Sequence, residues 1–116
     1  MDRLKNRADF LRAARGIRRV TPGLTLEICA VPESLAVRVG FTASRKVGGA
    51  VVRNRAKRRL RAVAAQVLSL CGQQGTDYVL VARRDTVTRP FESLKADLAQ
   101  ALSAAHLKLG RPGDVL

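Results

Sequence analysis

The residues that most directly suggest chemistry are the cations in the run KVGGAVVRNRAKRRLR, residues 46–61. Eight Lys or Arg residues lie between Arg45 and Arg61, and no Asp or Glu interrupts them. Like charges one turn apart on a helix repel each other, so a solvated helix face usually carries both signs. The absence of any carboxylate here therefore favours a surface that binds phosphate groups.

Residues that could hydrolyse a nucleic acid do not converge anywhere in the sequence. Such an active site needs metal-binding carboxylates or a general base such as His. The nine carboxylates are scattered along the chain, and the single histidine, His106, lies late in the sequence beside Leu107. No P-loop and no Ser/His/Asp arrangement is present. We therefore predict no catalytic residue and no metal site on the protein.

The charge balance indicates a nucleic-acid partner. The 116 residues carry a net charge of +13, of which residues 1–61 contribute +12 and residues 62–116 only +1. A membrane-surface helix would place bulky apolar residues outward beside its cations, so membrane binding is disfavoured. Cys29 and Cys71 fit no metal or redox spacing, which predicts reduced thiols. No apolar run approaches the roughly 18 residues of a membrane span, and we expect a cytoplasmic protein.

The periodicity of apolar residues predicts a mixed α+β sandwich in a single domain, ordered over about residues 3–109 with a frayed tail at 110–116. A basic loop is expected over 16–23. The predicted elements are a helix at 7–15, strands at 24–31 and 35–42, a helix at 50–71, a strand at 78–82 and a last helix with Pro90 in its first turn.

The long helix is predicted to bury one face and expose its cations. At 100° per residue, the apolar residues form a narrow stripe made of Val52, Ala56, Leu60, Val63, Val67 and Leu70. Arg53, Lys57 and Arg61 share an outer row about 6 Å apart, close to the phosphate spacing of a nucleic-acid strand. Asn54 lies near the middle of this outer face, and Arg59 borders the apolar stripe.

The segment GFTASRKVGGAVVRNRAKRRLR, residues 40–61, resembles the signature of the bacterial ribonuclease P protein subunit, whose core is the Arg-Asn-Arg triplet at 53–55. RLKNRADF at 3–10 resembles the basic N-terminus of that family, and DYVLVAR at 77–83 resembles its late buried strand. The similarity covers about residues 3–105.

The resemblance implies a partner and a reaction. The partners would be a large catalytic RNA, one protein per RNA, and precursor tRNA. Together the two subunits would act as an endoribonuclease that removes the 5′ leader of precursor tRNA and leaves a 5′-phosphate. The RNA, with Mg²⁺ held mainly by RNA and substrate, would carry the chemistry. The implied fold has a left-handed βαβ crossover, as in the second domain of ribosomal protein S5.

The resemblance also assigns candidate site residues. Contacts to the catalytic RNA would come from Arg45, Lys46, Arg53, Asn54, Arg55, Lys57, Arg58, Arg59 and Arg61. The leader would lie near Phe10, Arg12, Arg38, Thr42, Ser44 and Lys46. Relatives often carry further aromatic residues in this cleft, where this chain has Ala14 and either Glu27 or Ile28. Leader binding should therefore depend less on stacking and more on Arg12, Arg38 and Lys46.

Two other functions fit the same composition. Small basic α+β domains are common among ribosomal and other structural RNA-binding proteins, which have no processing role. A nuclease that works without RNA is the second alternative. At the level of a single residue, Phe10 could simply belong to the core.

Overall fold

The computed structural model describes residues 1–109. The expected frayed tail, residues 110–116, lies outside the described residues. In chain order the elements are β1 (Asp2–Arg3), α1 (Arg7–Ala14), β2 (Ile17–Val20), β3 (Leu24–Ala30), β4 (Val37–Thr42), α2 (Ala50–Cys71), β5 (Thr76–Ala82), a 3₁₀ turn (Arg84–Thr86) and α3 (Phe91–Leu109).

The strands form one mixed sheet in the order β1-β4-β5-β3-β2. β1 runs parallel to β4, and β4 runs parallel to β5. β3 pairs antiparallel with both β5 and β2. Helix α2 is the crossover between the adjacent parallel strands β4 and β5, which confirms the α+β sandwich predicted from the sequence. The left hand of that crossover stays a prediction.

The main core lies between one face of the sheet and helices α2 and α3. Leu24, Leu26 and Ile28 alternate along β3 and are fully buried on this face. Helix α2 contributes Leu60 and Val63, both fully buried, and helix α3 packs beside it. Because burial of this apolar face orients α2, the opposite side of the helix is left for its cations.

Helix α1 covers part of the other face of the sheet. It begins after Asn6, which holds the N-cap position without a side-chain hydrogen bond, and Ala13 is its buried residue. Ala13 joins a small cluster with Leu4, Cys29 and Val79, and Phe10 packs against that cluster. The sheet thus has one face largely covered by α2 and α3 and another face only partly covered by α1.

Three sequence expectations about elements are wrong. Residues 17–20, expected in a basic loop, form β2, because antiparallel pairing with β3 compensates for the polar sequence Ile-Arg-Arg-Val. Leu35, expected in the strand at 35–42, precedes β4 and is 81% exposed. Leu70, expected in the apolar stripe of α2, is 86% exposed. In α2 the buried face shifts toward Ala64 and Leu68, which leaves Leu70 outside the contact with α3 and the sheet.

Candidate nucleic-acid interface

The first half of α2 presents an array of cations, here called the α2 array: Arg53, Arg55, Lys57, Arg58 and Arg61. Three of them, Arg55, Arg58 and Arg61, are exposed, and the other two are half-buried. Within residues 1–109 none of the five forms an ion pair with a carboxylate. An array of unpaired cations on a rigid helix is suited to a partner that supplies several anions.

The start of α2 adds to the positive character of this surface. Gly49 occupies the N-cap position and provides no side-chain cap, and the first turn contains no acidic residue. Gly49 thus offers no capping side chain to the amide groups of the first turn, and the helix dipole adds partial positive charge there. Asn54 is exposed one turn later and, with Arg53 and Lys57, lines a pocket of about 190 Å³. The Nε atom of Arg53 is buried and has no hydrogen-bond acceptor among the described residues.

Arg59 differs from the other arginines of the helix. One Nη atom of Arg59 donates hydrogen bonds of 2.5 and 2.8 Å to the carbonyl oxygens of Thr86 and Val87. Those carbonyls belong to the connection between β5 and α3. The expected position of Arg59 at the border of the apolar stripe is explained by this contact, which ties α2 to the 3₁₀ turn. Its assignment to RNA binding stays a prediction.

The loop after β4 and the 3₁₀ turn after β5 together line a second basic pocket. Because the two strands are parallel neighbours, their C-terminal ends lie at the same edge of the sheet. The pocket has a volume of about 450 Å³, and its lining includes Ser44, Lys46, Arg83 and Arg84. The Arg84 guanidinium lies 3.3 Å from the carbonyl oxygen of Lys46, to which it donates a hydrogen bond. Arg45 is exposed beside the pocket.

Sequence reasoning did not select Arg83 and Arg84 as site residues. The sequence feature that could have identified them is their position, as a pair of cations directly after a wholly apolar strand. Since β4 was already predicted to end beside a basic loop, a parallel pairing of β4 and β5 would have brought the two groups together.

On the α1 face, the side chains follow cross-strand rows set by the register. The lower row contains Cys29, Asp77 and Arg38, and helix α1 covers it. The middle row runs from Arg18 through Glu27 and Val79 to Gly40. The upper row contains Val20, Thr25, Val81 and Thr42. We call the part that α1 leaves accessible, with Val20, Glu27, Val81 and Thr42, the open sheet surface.

Phe10 borders this surface because β4 has a glycine beneath it. A Cβ atom at position 40 would lie 2.5 Å from both Cε1 and Cζ of the Phe10 ring. The ring therefore rests directly on the backbone of Gly40, and it is half-buried. Phe10 fits both sequence interpretations, since it packs against the small cluster under α1 and keeps part of its ring accessible.

Two arginines expected near the leader are held in a network beneath α1. Arg38 donates hydrogen bonds of 2.8 and 2.6 Å to the carboxylate of Asp77, which is 1% exposed. Nη2 of Arg12 lies 3.0 Å from Oδ1 of Asp9 and 3.5 Å from Oδ2 of Asp77. The hydrogen bond with Asp77 raises the pKa of Arg38. These contacts neutralise much of the charge that Arg12 and Arg38 would offer to a phosphate, whereas no carboxylate of residues 1–109 pairs with Lys46.

Within the part of the chain that the structure describes, the carboxylates do not gather into a metal centre. No group of three or more His, Cys, Asp or Glu residues within residues 1–109 could hold a metal ion. Asp77 and Asp97, the buried carboxylates, are paired with Arg38 and Arg89. His106 lies 2.7 Å from the hydroxyl of Tyr78 in the main core, as expected for a structural histidine. In the same part of the chain, no helix combines the length and apolarity required to cross a membrane.

Comparison with known proteins agrees with the resemblance seen in the sequence. The family model described as Ribonuclease P matches residues 1–106. The chain is 47% identical over 107 residues to the ribonuclease P protein component of Paramagnetospirillum magneticum, covering 88% of this chain and 80% of the relative. It is 48% identical over 106 residues to that of Ruegeria pomeroyi, covering 89% and 85%.

Solved structures show the same fold. The RNase P protein of Staphylococcus aureus superposes with a TM-score of 0.74 at 26% identity, over 90% of this chain and 95% of that one. The RNase P protein of Thermotoga maritima also gives a TM-score of 0.74, at 22% identity, over 91% and 99%. With the family model spanning nearly the whole described chain, the chain belongs to the ribonuclease P protein component family.

Proposed function

We propose that this chain binds the catalytic RNA of ribonuclease P through α2 and binds the 5′ leader of precursor tRNA on the α1 face of its sheet. The complex would cleave precursor tRNA endonucleolytically and leave a 5′-phosphate on the mature end. The observation that carries this proposal is the α2 array, whose five cations have no carboxylate partner within the described chain. A polyanion that spans several helical turns would neutralise them together.

The leader site is proposed on separate grounds. Phe10 presents part of an aromatic ring at the border of the open sheet surface, and single-stranded RNA is commonly bound by stacking of bases on such rings. Thr42 lies on that surface, and Ser44, Lys46 and Arg84 follow at its edge. These groups would bind sugar and phosphate, whereas Arg12 and Arg38 would position α1.

Mg²⁺ is proposed to act with the RNA and the substrate. Among the described residues the buried carboxylates, Asp77 and Asp97, are paired with arginines, and no group of three or more ligating side chains there could hold a metal ion. We also place the protein in the cytoplasm with its RNA, as one copy per complex.

Reconstitution at low Mg²⁺ concentration tests the function. Precursor tRNA is mixed with the protein alone, with the catalytic RNA alone and with both. Rapid leader removal only in the complete mixture is expected. Cleavage by the protein alone would instead indicate an autonomous nuclease. An unchanged rate of the RNA on addition of protein would favour the alternative of a structural RNA-binding protein.

A further inference from the structure

Glu27 places a carboxylate on a surface proposed to bind an anionic strand. It lies on β3 between two residues of the main core, Leu26 and Ile28, so its side chain is directed to the opposite, α1 face. It is half-buried and forms no ion pair within residues 1–109. Asp9, Asp77 and Asp97, by contrast, are each paired with an arginine. Glu27 therefore has unused acceptor capacity.

The register places this carboxylate beside Phe10. Glu27 pairs with Val79, and Val79 pairs with Gly40, on which the ring of Phe10 rests. Two interstrand steps separate the Cα atoms of Glu27 and Gly40, or roughly 10 Å. A base stacked on the accessible side of the Phe10 ring would therefore lie within reach of a carboxylate along the same row.

A carboxylate at this position repels phosphate and attracts hydrogen-bond donors. The phosphates of a bound strand would lie toward Lys46 and Arg84, and the base edges toward Glu27. Unstacked bases of single-stranded RNA are read on their pairing edges, and a carboxylate accepts hydrogen bonds there. Among the four bases, only guanine offers two adjacent donors on that edge, N1–H and the N2 amino group.

We propose that Glu27 selects a guanine in the 5′ leader, by accepting hydrogen bonds from N1–H and N2 of a base stacked at Phe10. This inference rests on the proposed leader site. Adenine and cytosine each offer one amino group, and the ring nitrogen next to it is an acceptor that would repel the carboxylate. Uracil offers one N–H, which lies between two carbonyl oxygens that would also repel it. Guanine is therefore preferred over all three.

The environment of Glu27 supports a strong response to a correct donor. Removal from solvent raises the pKa of its carboxyl group, and the positive charge of Arg18 opposes this shift in part. A partly desolvated acceptor interacts more strongly with a hydrogen-bond donor and costs more when it is unpaired.

Leader substitutions in the reconstituted complex test the assignment. A precursor tRNA with a leader of uridines is compared with a set in which one guanosine occupies each leader position in turn. For the wild-type complex, one position should increase affinity at least about fivefold, the lower end for a bidentate contact to a base. Inosine at that position, which lacks the N2 amino group, should lose most of the gain.

The variants Glu27→Gln and Glu33→Gln separate base selection from a general charge effect. Both remove one negative charge, but Glu33 is exposed in the turn between β3 and β4. Glu27→Gln should bring the guanosine and uridine leaders within twofold of each other, and Glu33→Gln should keep the preference. A preference absent in the wild type, or retained in Glu27→Gln, would overturn the inference while leader binding itself stands. Equal affinity of the wild-type complex for uridine-leader precursor and mature tRNA would overturn both.

Discussion

The guanidinium of Arg38 on β4 donates two hydrogen bonds, of 2.8 and 2.6 Å, to the buried carboxylate of Asp77 on β5. Arg12 of α1 lies 3.5 Å from the same carboxylate, and Asp9 links the two arginines from above. This network joins α1 to the centre of the sheet. It holds the helix that carries Phe10 at a defined height above Gly40.

Removal of Arg38 should therefore act mainly on stability. Arg38→Ala leaves the carboxylate of Asp77 buried and unpaired, and should lower the free energy of unfolding by about 3 kcal/mol. Arg45→Ala, which replaces an exposed arginine in the loop after β4, should change it by about 0.5 kcal/mol or less. Urea denaturation measures both variants. A decrease below about 1 kcal/mol for Arg38→Ala would show that Asp77 finds another partner or becomes protonated at little cost.

Phe10→Ala should weaken the binding of precursor tRNA while sparing mature tRNA. Removal of one stacking platform costs about 1–3 kcal/mol per base, and mature tRNA has no leader to stack. Affinities of the reconstituted complex for the two RNAs provide the measurement. Leu11→Ala, an exposed substitution on the same helix, is the matched control. Equal decreases for both RNAs in Phe10→Ala would remove Phe10 from the leader site.

The salt dependence of RNA binding should report how many cations of the α2 array meet phosphates. The slope of log affinity against log salt should decrease by roughly 0.7–0.9 for each phosphate that the variant no longer neutralises. We expect this decrease separately for Arg53→Ala, Lys57→Ala and Arg61→Ala, measured with the catalytic RNA. Lys108→Ala, an exposed change on α3, should leave the slope unchanged. Unchanged slopes for all three α2 variants would place the RNA elsewhere.

Arg58 and Arg59 are neighbours in sequence and should behave differently. Arg59→Ala removes the hydrogen bonds to the carbonyls of Thr86 and Val87 and should lower the free energy of unfolding by about 1–3 kcal/mol. Because the Arg58 side chain is exposed, Arg58→Ala should leave the free energy of unfolding nearly unchanged. Thermal and urea unfolding of the free protein distinguish the two. Similar stabilities would mean that the contact to the 3₁₀ turn contributes little.

Glu27→Gln should stabilise the free protein at neutral pH. The pKa of Glu27 is raised above 4.5 by burial, so the native state binds more protons than the unfolded state just above that pH. Wild-type stability consequently falls as pH rises through this window, and the glutamine variant lacks that component. We expect the variant's Tm to exceed that of the wild type by about 1–3 °C at pH 7, with the difference shrinking toward pH 4. A constant difference across this range would contradict a desolvated carboxylate.

Helix α2 could be predicted from the sequence because the features that identify it all lie within one continuous segment. The apolar stripe repeats with the helical period, Gly49 and Gly72 bound it, and the cations occupy the remaining surface. Strands β3 and β5 could also be predicted from the sequence. Leu24, Leu26 and Ile28 alternate with other residues along β3, and residues 78–82 of β5 are wholly apolar. Strand β2 could not be predicted, because its sequence is polar and its structure depends on pairing with β3.

The candidate site was predictable only where its residues share one element. Arg12 and Arg38 appeared to be free cations, since their carboxylate partner Asp77 lies 65 and 39 positions away. The proximity of Glu27 to Phe10 depends on the order of β3, β5 and β4 in the sheet, which involves two long-range pairings. Local periodicity carries no information about such pairings.

Strand β4 passes beneath Phe10 at Gly40, reaches the open sheet surface at Thr42 and then continues through the loop into α2. A leader bound at one end and a catalytic RNA bound at the other would therefore be held by the same rigid body. Once the catalytic RNA holds a precursor tRNA, the encounter of the protein with the leader of that tRNA becomes effectively intramolecular, at an effective concentration set by the distance between the two surfaces. A leader contact of modest intrinsic affinity is then sufficient for substrate discrimination, which is consistent with a binding surface that contains Phe10 and no second aromatic ring at position 14.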